Sequence, residues 1–171
     1  MNKNILSIET TSDICSVALF SNKILLSVKE DPNRNHSSLL GIFVEEIFKN
    51  SDLSFDSLDA IALSIGPGSY TGLRIGCSFA KGLAFSLSKP IIPINTLESL
   101  NLSIKDSNYF VVSSAYKDYF FIQEYKNGEK YNDIIFNTID IIKGKNNIYG
   151  YDSNEIDNQI IKILPSALKI A

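Results

Sequence analysis

A glycine-rich loop at residues 66–69 has the residue types and the spacing that most clearly suggest chemistry. It reads Gly-Pro-Gly-Ser, follows an apolar run and precedes a helical pattern that begins at Tyr70. Such a loop can hold phosphate, because bare backbone amides and the helix dipole point at the ligand. However, the residues after Gly72 are not the Lys and Ser or Thr of a phosphate loop, and the glycine spacing does not match the dinucleotide fingerprint. A tight turn between a strand and a helix explains the loop at least as well.

The helix that follows carries small residues at intervals of four. These are Gly72, Gly76, Ala80 and Ala84. Beside them runs a parallel apolar ridge of Ile75, Phe79 and Leu83. Residues four apart share one helical face, and a glycine inside a helix costs about 1 kcal/mol relative to alanine, so this pattern indicates that another backbone approaches closely. That backbone belongs either to the chain's own sheet or to a partner subunit.

Residues that usually perform catalysis are scarce. His36 is the only histidine, so no histidine pair or Ser-His-Asp set can form, and Cys15 and Cys77 are the only cysteines. We therefore expect no catalytic residues, no bound metal and no cofactor, and we expect both cysteines to be free thiols in a reducing cytoplasm.

Charge and hydropathy exclude two further classes of protein. The net charge is −3 and no basic stripe is present, which argues against tight unaided binding to nucleic acid. No apolar run reaches the roughly 18 residues of a membrane span, and the first residues lack a signal-peptide pattern. The chain is therefore expected to be a cytoplasmic protein with no contact with membrane.

The order of elements predicts an α/β fold. Three strands form a meander within residues 5–29, and an amphipathic helix follows from Ser37. A buried strand at residues 60–65, the helix from Tyr70 to Leu87, a strand at residues 90–94 and a helix capped by Thr96 complete this part. A meander joined to parallel crossovers is typical of an actin-like or ribonuclease-H-like lobe with a mixed sheet.

The first turn of the meander adds candidates for nucleotide binding. In actin-like ATPases the turn after the first strand faces phosphate. Thr10 and Thr11 lie there, so they join Gly66, Gly68 and Ser69 as candidate phosphate contacts. A polar hairpin tip is the alternative explanation.

The chain is expected to divide into two lobes. Turn residues at 105–108 place the boundary between an N-terminal actin-like lobe, residues 1–104, and a C-terminal lobe, residues 105–171. The second lobe contains several short strand patterns and a helical pattern from Asn154 to Leu164. These elements are expected to form the C-terminal lobe.

Five segments of the first 100 residues carry a family resemblance. They are ILSIETT at residues 5–11, CSVAL at 15–19, HSSLL at 36–40, GPGSYTGLRIG at 66–76 and TLESL at 96–100. In this order and spacing they resemble the TsaB (YeaZ) family of tRNA threonylcarbamoyladenosine biosynthesis proteins. The resemblance covers about the first 100 residues, and the glycine-rich string is specific. The resemblance implies a fold of two actin-like lobes.

The resemblance also implies a function. Family members are non-catalytic partners of TsaD, the related subunit that transfers threonylcarbamoyl to tRNA, and an ATPase, TsaE, joins the complex. The family uses helices of the first lobe as its interface, which favours the partner explanation of the small-residue face and its ridge. The first helix would add His36 and Leu40 to that surface. Homodimers through the same surface are also expected, and tRNA would be met only within the complex.

The second half departs from the family pattern. Most members continue for several dozen residues after the segment that residues 164–171 resemble, so the resemblance implies either a reduced second lobe or a truncated sequence. An Asp-Ala-Arg segment usually follows the strand at residues 110–113, whereas this chain has Ser114-Ala115-Tyr116. The loss of the acid and the arginine puts in doubt any polar contact that they make. Two other functions therefore stay open: an actin-like ATPase or kinase that binds nucleotide, and an inactive metallopeptidase homologue.

Overall fold

The computed structural model describes residues 3–151 and 160–170. The first sheet has the order β3-β2-β1-β4-β5. Its strands are β1 (Asn4–Glu9), β2 (Cys15–Ser21), β3 (Ile24–Asp31), β4 (Ala60–Ser64) and β5 (Ile91–Ile94). Strands β1 to β3 form an antiparallel meander, and β4 and β5 continue parallel to β1. The interior strand β4, which lies between β1 and β5, is buried along its whole length, as its unbroken apolar run predicts.

Two long helices cover one face of this sheet. They are α1 (His36–Lys49) and α2 (Tyr70–Leu87). Leu40, Val44 and Ile47 of α1 form one core with the inward side chains of β1, β2 and β4. The side chain of Ser69 caps α2 by accepting a hydrogen bond from the Gly72 amide, and α2 ends where Ser88 takes a left-handed conformation.

The second sheet is mixed and has the order β11-β10-β6-β7-β8, with β9 also paired to β7. Its strands are β6 (Asn108–Ser114), β7 (Tyr119–Lys126), β8 (Glu129–Lys130), β9 (Ile135–Thr138), β10 (Ile148–Tyr151) and β11 (Ile160–Lys162). The short helix α3 (Thr96–Asn101) packs on it. Stacked rings of Tyr109 and Tyr125, with centroids 5.0 Å apart, lie at the centre of this second core.

Packing joins the two lobes more closely than the expected boundary at residue 104 suggests. Helix α3 precedes that boundary, yet Leu97 and Leu100 belong to the core of the second sheet. The 3-10 helix Ala167–Lys169 returns to the first sheet, where the Ala167 amide donates a 2.9 Å hydrogen bond to Ser16 Oγ. Each lobe therefore contributes to the burial of the other.

Two local predictions are wrong. Thr96 is not the cap of α3, because Asn95 Oδ1 accepts from the amides of Leu97 and Glu98. The helix expected from Asn154 to Leu164 is not formed over residues 160–162, which make strand β11, and residues 154–159 lie outside the described part of the chain.

Candidate partner surface and interlobe cleft

The glycine-rich loop is held against the turn that follows β1. The Ser69 amide donates to the Thr11 carbonyl oxygen at 2.7 Å. A Cβ atom added to Gly68 would lie 2.4 Å from the same oxygen. Gly66 adopts a φ of 99°, a conformation that L side chains rarely adopt. The loop is thus a tight turn fitted to its own neighbour.

The small-residue face of α2 continues that contact. A Cβ atom on Gly72 would lie 1.9 Å from the Thr10 carbonyl oxygen, and one on Gly76 would lie 2.3 Å from Thr10 Oγ1. Ala80 and Ala84 are buried in the core of the first sheet. The predicted partner contacts at Gly72, Gly76, Ala80 and Ala84 are therefore wrong, because the close backbone is that of this chain.

Two predicted interface residues on α1 are also buried. Leu40 packs in the core of the first sheet. The Nε2 atom of His36 lies 2.9 Å from the Ser12 carbonyl oxygen, and the residue is only 5% exposed. Neither side chain is placed to meet a partner directly, so the prediction of partner contacts at His36 and Leu40 is wrong. Their role in the structure is to fix α1 against β1 and β2.

The solvent-accessible surface of α1 and α2 lies beside the buried faces just described. A groove of about 500 Å³ runs between them, and we call it the outer groove. Its lining residues are Ser37, Thr71, Arg74, Ile75, Ser78 and Phe79. Ile75 and Phe79 are half-buried, as is Leu83 in the next turn, so partner contact at these three ridge residues stays a prediction.

Two exposed apolar side chains lie on the same two helices. Phe85 is 90% exposed and Ile42 is 49% exposed. Phe85 follows Ser78 by seven residues, so it continues the outer face of α2 by two turns. Arg74, Ser78 and Phe85 were not predicted from the sequence. The available signal was their spacing of four and seven residues, which places them together on the face opposite the small residues.

Three of the five predicted phosphate contacts are closed off. Thr10 and Thr11 are fully buried. The Thr10 hydroxyl donates to the Gly72 carbonyl at 2.8 Å, and both the amide and the hydroxyl of Thr11 donate to Glu9 Oε1. The Gly66 amide donates to Thr96 Oγ1 at 3.1 Å. In this structure the prediction therefore fails for Thr10, Thr11 and Gly66.

The other two predicted contacts, Gly68 and Ser69, line a cleft between the lobes. This interlobe cleft has a volume of about 570 Å³. It is formed by the β1–β2 turn at Ser12 and Asp13, the start of α1 with Arg34, His36 and Ser37, residues 68–72 with Ile75, and the end of β6 at Ser114 and Ala115. Phosphate contact at Gly68 and Ser69 stays a prediction. The segment that departs from the family pattern, Ser114-Ala115, borders the same cleft.

Three ionisable groups with raised pKa values lie in the two cores and do not line the interlobe cleft. Burial raises the pKa of the Cys15 thiol to about 11, with a smaller contribution from the Asp31 carboxylate. Burial likewise raises the pKa of Tyr109 and of Tyr125 in the second core. These shifts keep the three side chains neutral and fit structural roles.

Within the described ranges, no three His, Cys, Asp or Glu side chains come together as a metal site would require. The same part of the chain contains no helix that is both long and apolar enough to cross a membrane.

Comparison with known proteins places the chain in a family. The family model described as "TsaD: tRNA N6-adenosine threonylcarbamoyltransferase" matches residues 25–159, which is more than half of the chain. The tRNA threonylcarbamoyladenosine biosynthesis protein TsaB of Haemophilus influenzae is 37% identical over 99 residues, which are 58% of this chain and 42% of that protein. TsaB of Escherichia coli is 36% identical over 96 residues, which are 56% of this chain and 42% of that protein. The chain thus spans less than half the length of these curated relatives.

A solved structure supports the fold. YeaZ from Pseudomonas aeruginosa superposes with a TM-score of 0.77 over 98% of this chain and 88% of that chain, at 21% sequence identity. The likeness confirms the predicted two-lobe α/β fold. Because the family model covers most of the chain, this chain belongs to the tRNA N6-adenosine threonylcarbamoyltransferase family, and its similarity to curated TsaB proteins supports the TsaB (YeaZ) resemblance.

Proposed function

We propose that this chain is a non-catalytic partner subunit in the biosynthesis of threonylcarbamoyladenosine on tRNA. It binds a TsaD-like transferase through the outer groove and the exposed apolar residues beside it. A TsaE-like ATPase joins the same complex, and tRNA is met only there. The names of the TsaB relatives support the pathway, and the match to a TsaD model supports kinship with the transferase.

The observation that carries the proposal is the exposed apolar surface on α1 and α2. Phe85 and Ile42 are large and exposed, and Phe79 and Ile75 are half-buried at the groove between the helices. Aromatic and arginine side chains supply much of the energy at protein interfaces, and Arg74 lies in the same groove. The two helices therefore present exposed apolar side chains together with a groove that contains an arginine.

The arrangement of polar groups at the first turn supports a non-catalytic role. The hydroxyls of Thr10 and Thr11 are engaged within the chain, and the His36 ring is held by Ser12. Groups fixed in this way hold the loops together and are not presented to a substrate.

Reconstitution of the modification reaction tests the proposal. Purified TsaD-like and TsaE-like proteins are incubated with tRNA, ATP and the threonylcarbamoyl donor, with and without this chain, and modified adenosine is measured by mass spectrometry. We expect modification only when this chain is present and none from this chain alone. Modification at the same rate without it would exclude the proposed role.

A second candidate function rests on the interlobe cleft, whose volume of about 570 Å³ could admit a nucleotide. If the chain is an ATPase or kinase, it will hydrolyse ATP alone or gain thermal stability when nucleotide is added.

Sedimentation measures whether the chain also associates with itself and through which surface. A homodimer through the outer groove should dissociate as the TsaD-like protein is added, whereas a homodimer through another surface should persist.

A further inference from the structure

Strand β9 forms an open edge of the second sheet. Among the described strands it pairs with β7 only, in an antiparallel ladder. Phe136 lies in the middle of β9, and its side chain is 54% exposed. An edge strand presents backbone amides and carbonyls that can pair with a strand of another chain. The outer side of β9 is therefore accessible to such a strand.

The backbone groups of Phe136 point to this open edge. The amide of Ala115, which follows β6, donates to the Tyr119 carbonyl oxygen, so the backbone of Tyr119 points towards β6. Backbone groups alternate sides along an antiparallel strand, and Phe121 therefore points the same way as Tyr119. Phe136 is opposite Phe121 in the ladder, so these two residues form a pair without hydrogen bonds. The amide and the carbonyl of Phe136 consequently point away from β7.

Three other edge strands carry features that oppose pairing, and β9 carries none of them. Strand β5 contains Pro93, which has no amide hydrogen, the register of β3 shifts at a bulge, and β8 consists of Glu129 and Lys130. Residues 134–139 read Ile-Ile-Phe-Asn-Thr-Ile, without charge, proline or glycine. Uncharged segments of this length that are rich in β-branched and aromatic residues associate readily as strands.

An aromatic row reaches the same edge. The ring of Phe136 stacks on Tyr119, with centroids 5.1 Å apart, and contacts Phe121, with centroids 5.2 Å apart. Aromatic side chains opposite each other on neighbouring strands stabilise an antiparallel sheet. The best occupant of the edge is thus an uncharged strand that brings a further aromatic ring to Phe136. Strand β9 of a second copy has both properties.

We propose that the chain associates with a second copy of itself by antiparallel pairing of β9 with β9, about a two-fold axis at Phe136. The Phe136 amide of each copy donates to the Phe136 carbonyl of the other, which joins the two second sheets into one. The two Phe136 rings lie opposite each other and connect the two aromatic rows. Residue 136 is the only one that faces itself, so Asp133 of each copy is kept from its own counterpart. The surface lies apart from α1 and α2, so the association is independent of the proposed function.

A charge exchange at the two-fold axis tests this pairing. Sedimentation equilibrium is measured for the full chain, for Phe136→Glu, for Phe136→Lys and for an equimolar mixture of the two variants. Each variant alone places like charges opposite each other, so its dissociation constant should rise by about tenfold or more. The mixture places a carboxylate opposite an ammonium group and should recover most of the lost affinity.

Three results would overturn the proposal. They are a wild type that stays monomeric at its highest soluble concentration, variants that associate as well as wild type, and a mixture that associates no better than either variant alone. The last result is expected if the edge binds a strand of a different protein. Recovery in the mixture also shows that both variants fold.

Two controls and one measurement without substitution complete the test. Leu102→Glu adds the same charge at an exposed apolar position outside β9 and should associate as wild type does. Phe85→Glu does so on α2, and loss of association there but not in Phe136→Glu would place the dimer on α1 and α2 instead. In wild type, amide hydrogen exchange of residues 134–138 should slow as the protein concentration rises. Exchange that does not depend on concentration would contradict the pairing.

Discussion

Thr10 and Gly72 are locked together in the first lobe. The Thr10 hydroxyl donates a 2.8 Å hydrogen bond to the Gly72 carbonyl oxygen, while the Thr10 carbonyl oxygen occupies the space that a Cβ of residue 72 would need. The contact joins the turn after β1 to the first turn of α2 across 62 residues of chain. It sets the distance between the sheet and the helix that carries the outer groove.

Gly72→Ala should destabilise the protein. The added methyl group would have to displace the backbone of Thr10, and overpacking of this kind costs about 3 kcal/mol of unfolding free energy. The free energy is measured by urea unfolding at equilibrium.

Gly82→Ala is the matched control, since residue 82 is an exposed position of the same helix with no atom within 4 Å of an added Cβ. Alanine is the better helix former, so this variant should gain about 0.8 kcal/mol. If the two variants changed stability equally, the contact with Thr10 would not explain Gly72.

Ser16→Ala should loosen the attachment of the last described residues to the first sheet. Ser16 Oγ donates to Glu30 Oε1 at 2.8 Å and accepts from the Ala167 amide at 2.9 Å. The variant leaves that amide without its acceptor, so the unfolding free energy should fall by about 1–2 kcal/mol. Limited proteolysis should also become faster near Ala167.

Ser86→Ala is the control: it removes an exposed serine hydroxyl that donates a hydrogen bond to the Leu83 carbonyl of its own helix. It should change stability by less than about 0.5 kcal/mol. A similar loss of unfolding free energy in Ser16→Ala and Ser86→Ala would show that the hydrogen bond between Ser16 and the Ala167 amide does not stabilise the protein.

Local sequence patterns predicted the bounds of helices and strands better than they predicted which residues those elements contact. The apolar stripe and turn residues gave α2 its observed bounds, Tyr70–Leu87, because these signals lie within a few residues of each other. The spacing of Gly72 and Gly76 also indicated a close backbone, and one is present. Spacing on a helix does not tell which backbone it is. Thr10 is distant in sequence, and only the packing of the sheet brings it there.

The same limit applies to the cleft. Thr96 has the residue type of a cap, yet its hydroxyl is used by the Gly66 amide and by Ser64 Oγ, so Asn95 takes the capping position. His36 was recognisable as the only histidine at a helix start, but its buried Nδ1 depends on how the β1–β2 turn folds over it. Long-range contacts of this kind leave no periodic signal in the sequence.

Cys15→Ala should reduce the loss of stability at alkaline pH. Burial raises the pKa of Cys15 from 9.0 to about 11 in the folded protein, so above pH 9 the thiol ionises first in the unfolded chain. Ionisation that favours the unfolded chain lowers the unfolding free energy as pH rises. The contribution is complete below pH 9 and is lost as pH rises to about 11.

Denaturant unfolding of both proteins from neutral pH to about pH 11 measures this effect. Below the titration range of the thiol, the difference between wild type and variant should be constant, since it then reflects packing alone. Parallel stability curves throughout the alkaline range would show that Cys15 ionises equally in both states.

Phe85→Ala should weaken binding to the TsaD-like subunit without affecting the fold. The ring is 90% exposed, so its removal leaves no cavity in the core. Phe85 lies on the outer face of α2 two turns beyond Ser78, which lines the outer groove, so it extends the proposed partner surface along the helix. Loss of an aromatic contact at an interface centre raises Kd by roughly tenfold or more. Titration calorimetry measures Kd, and the melting temperature of the free chain should stay unchanged.

Leu102→Ala is the control. It removes an apolar side chain that is 75% exposed and lies outside the two long helices, so its Kd should equal that of wild type. Unchanged affinity for Phe85→Ala, or the same loss in both variants, would place the partner elsewhere on the molecule.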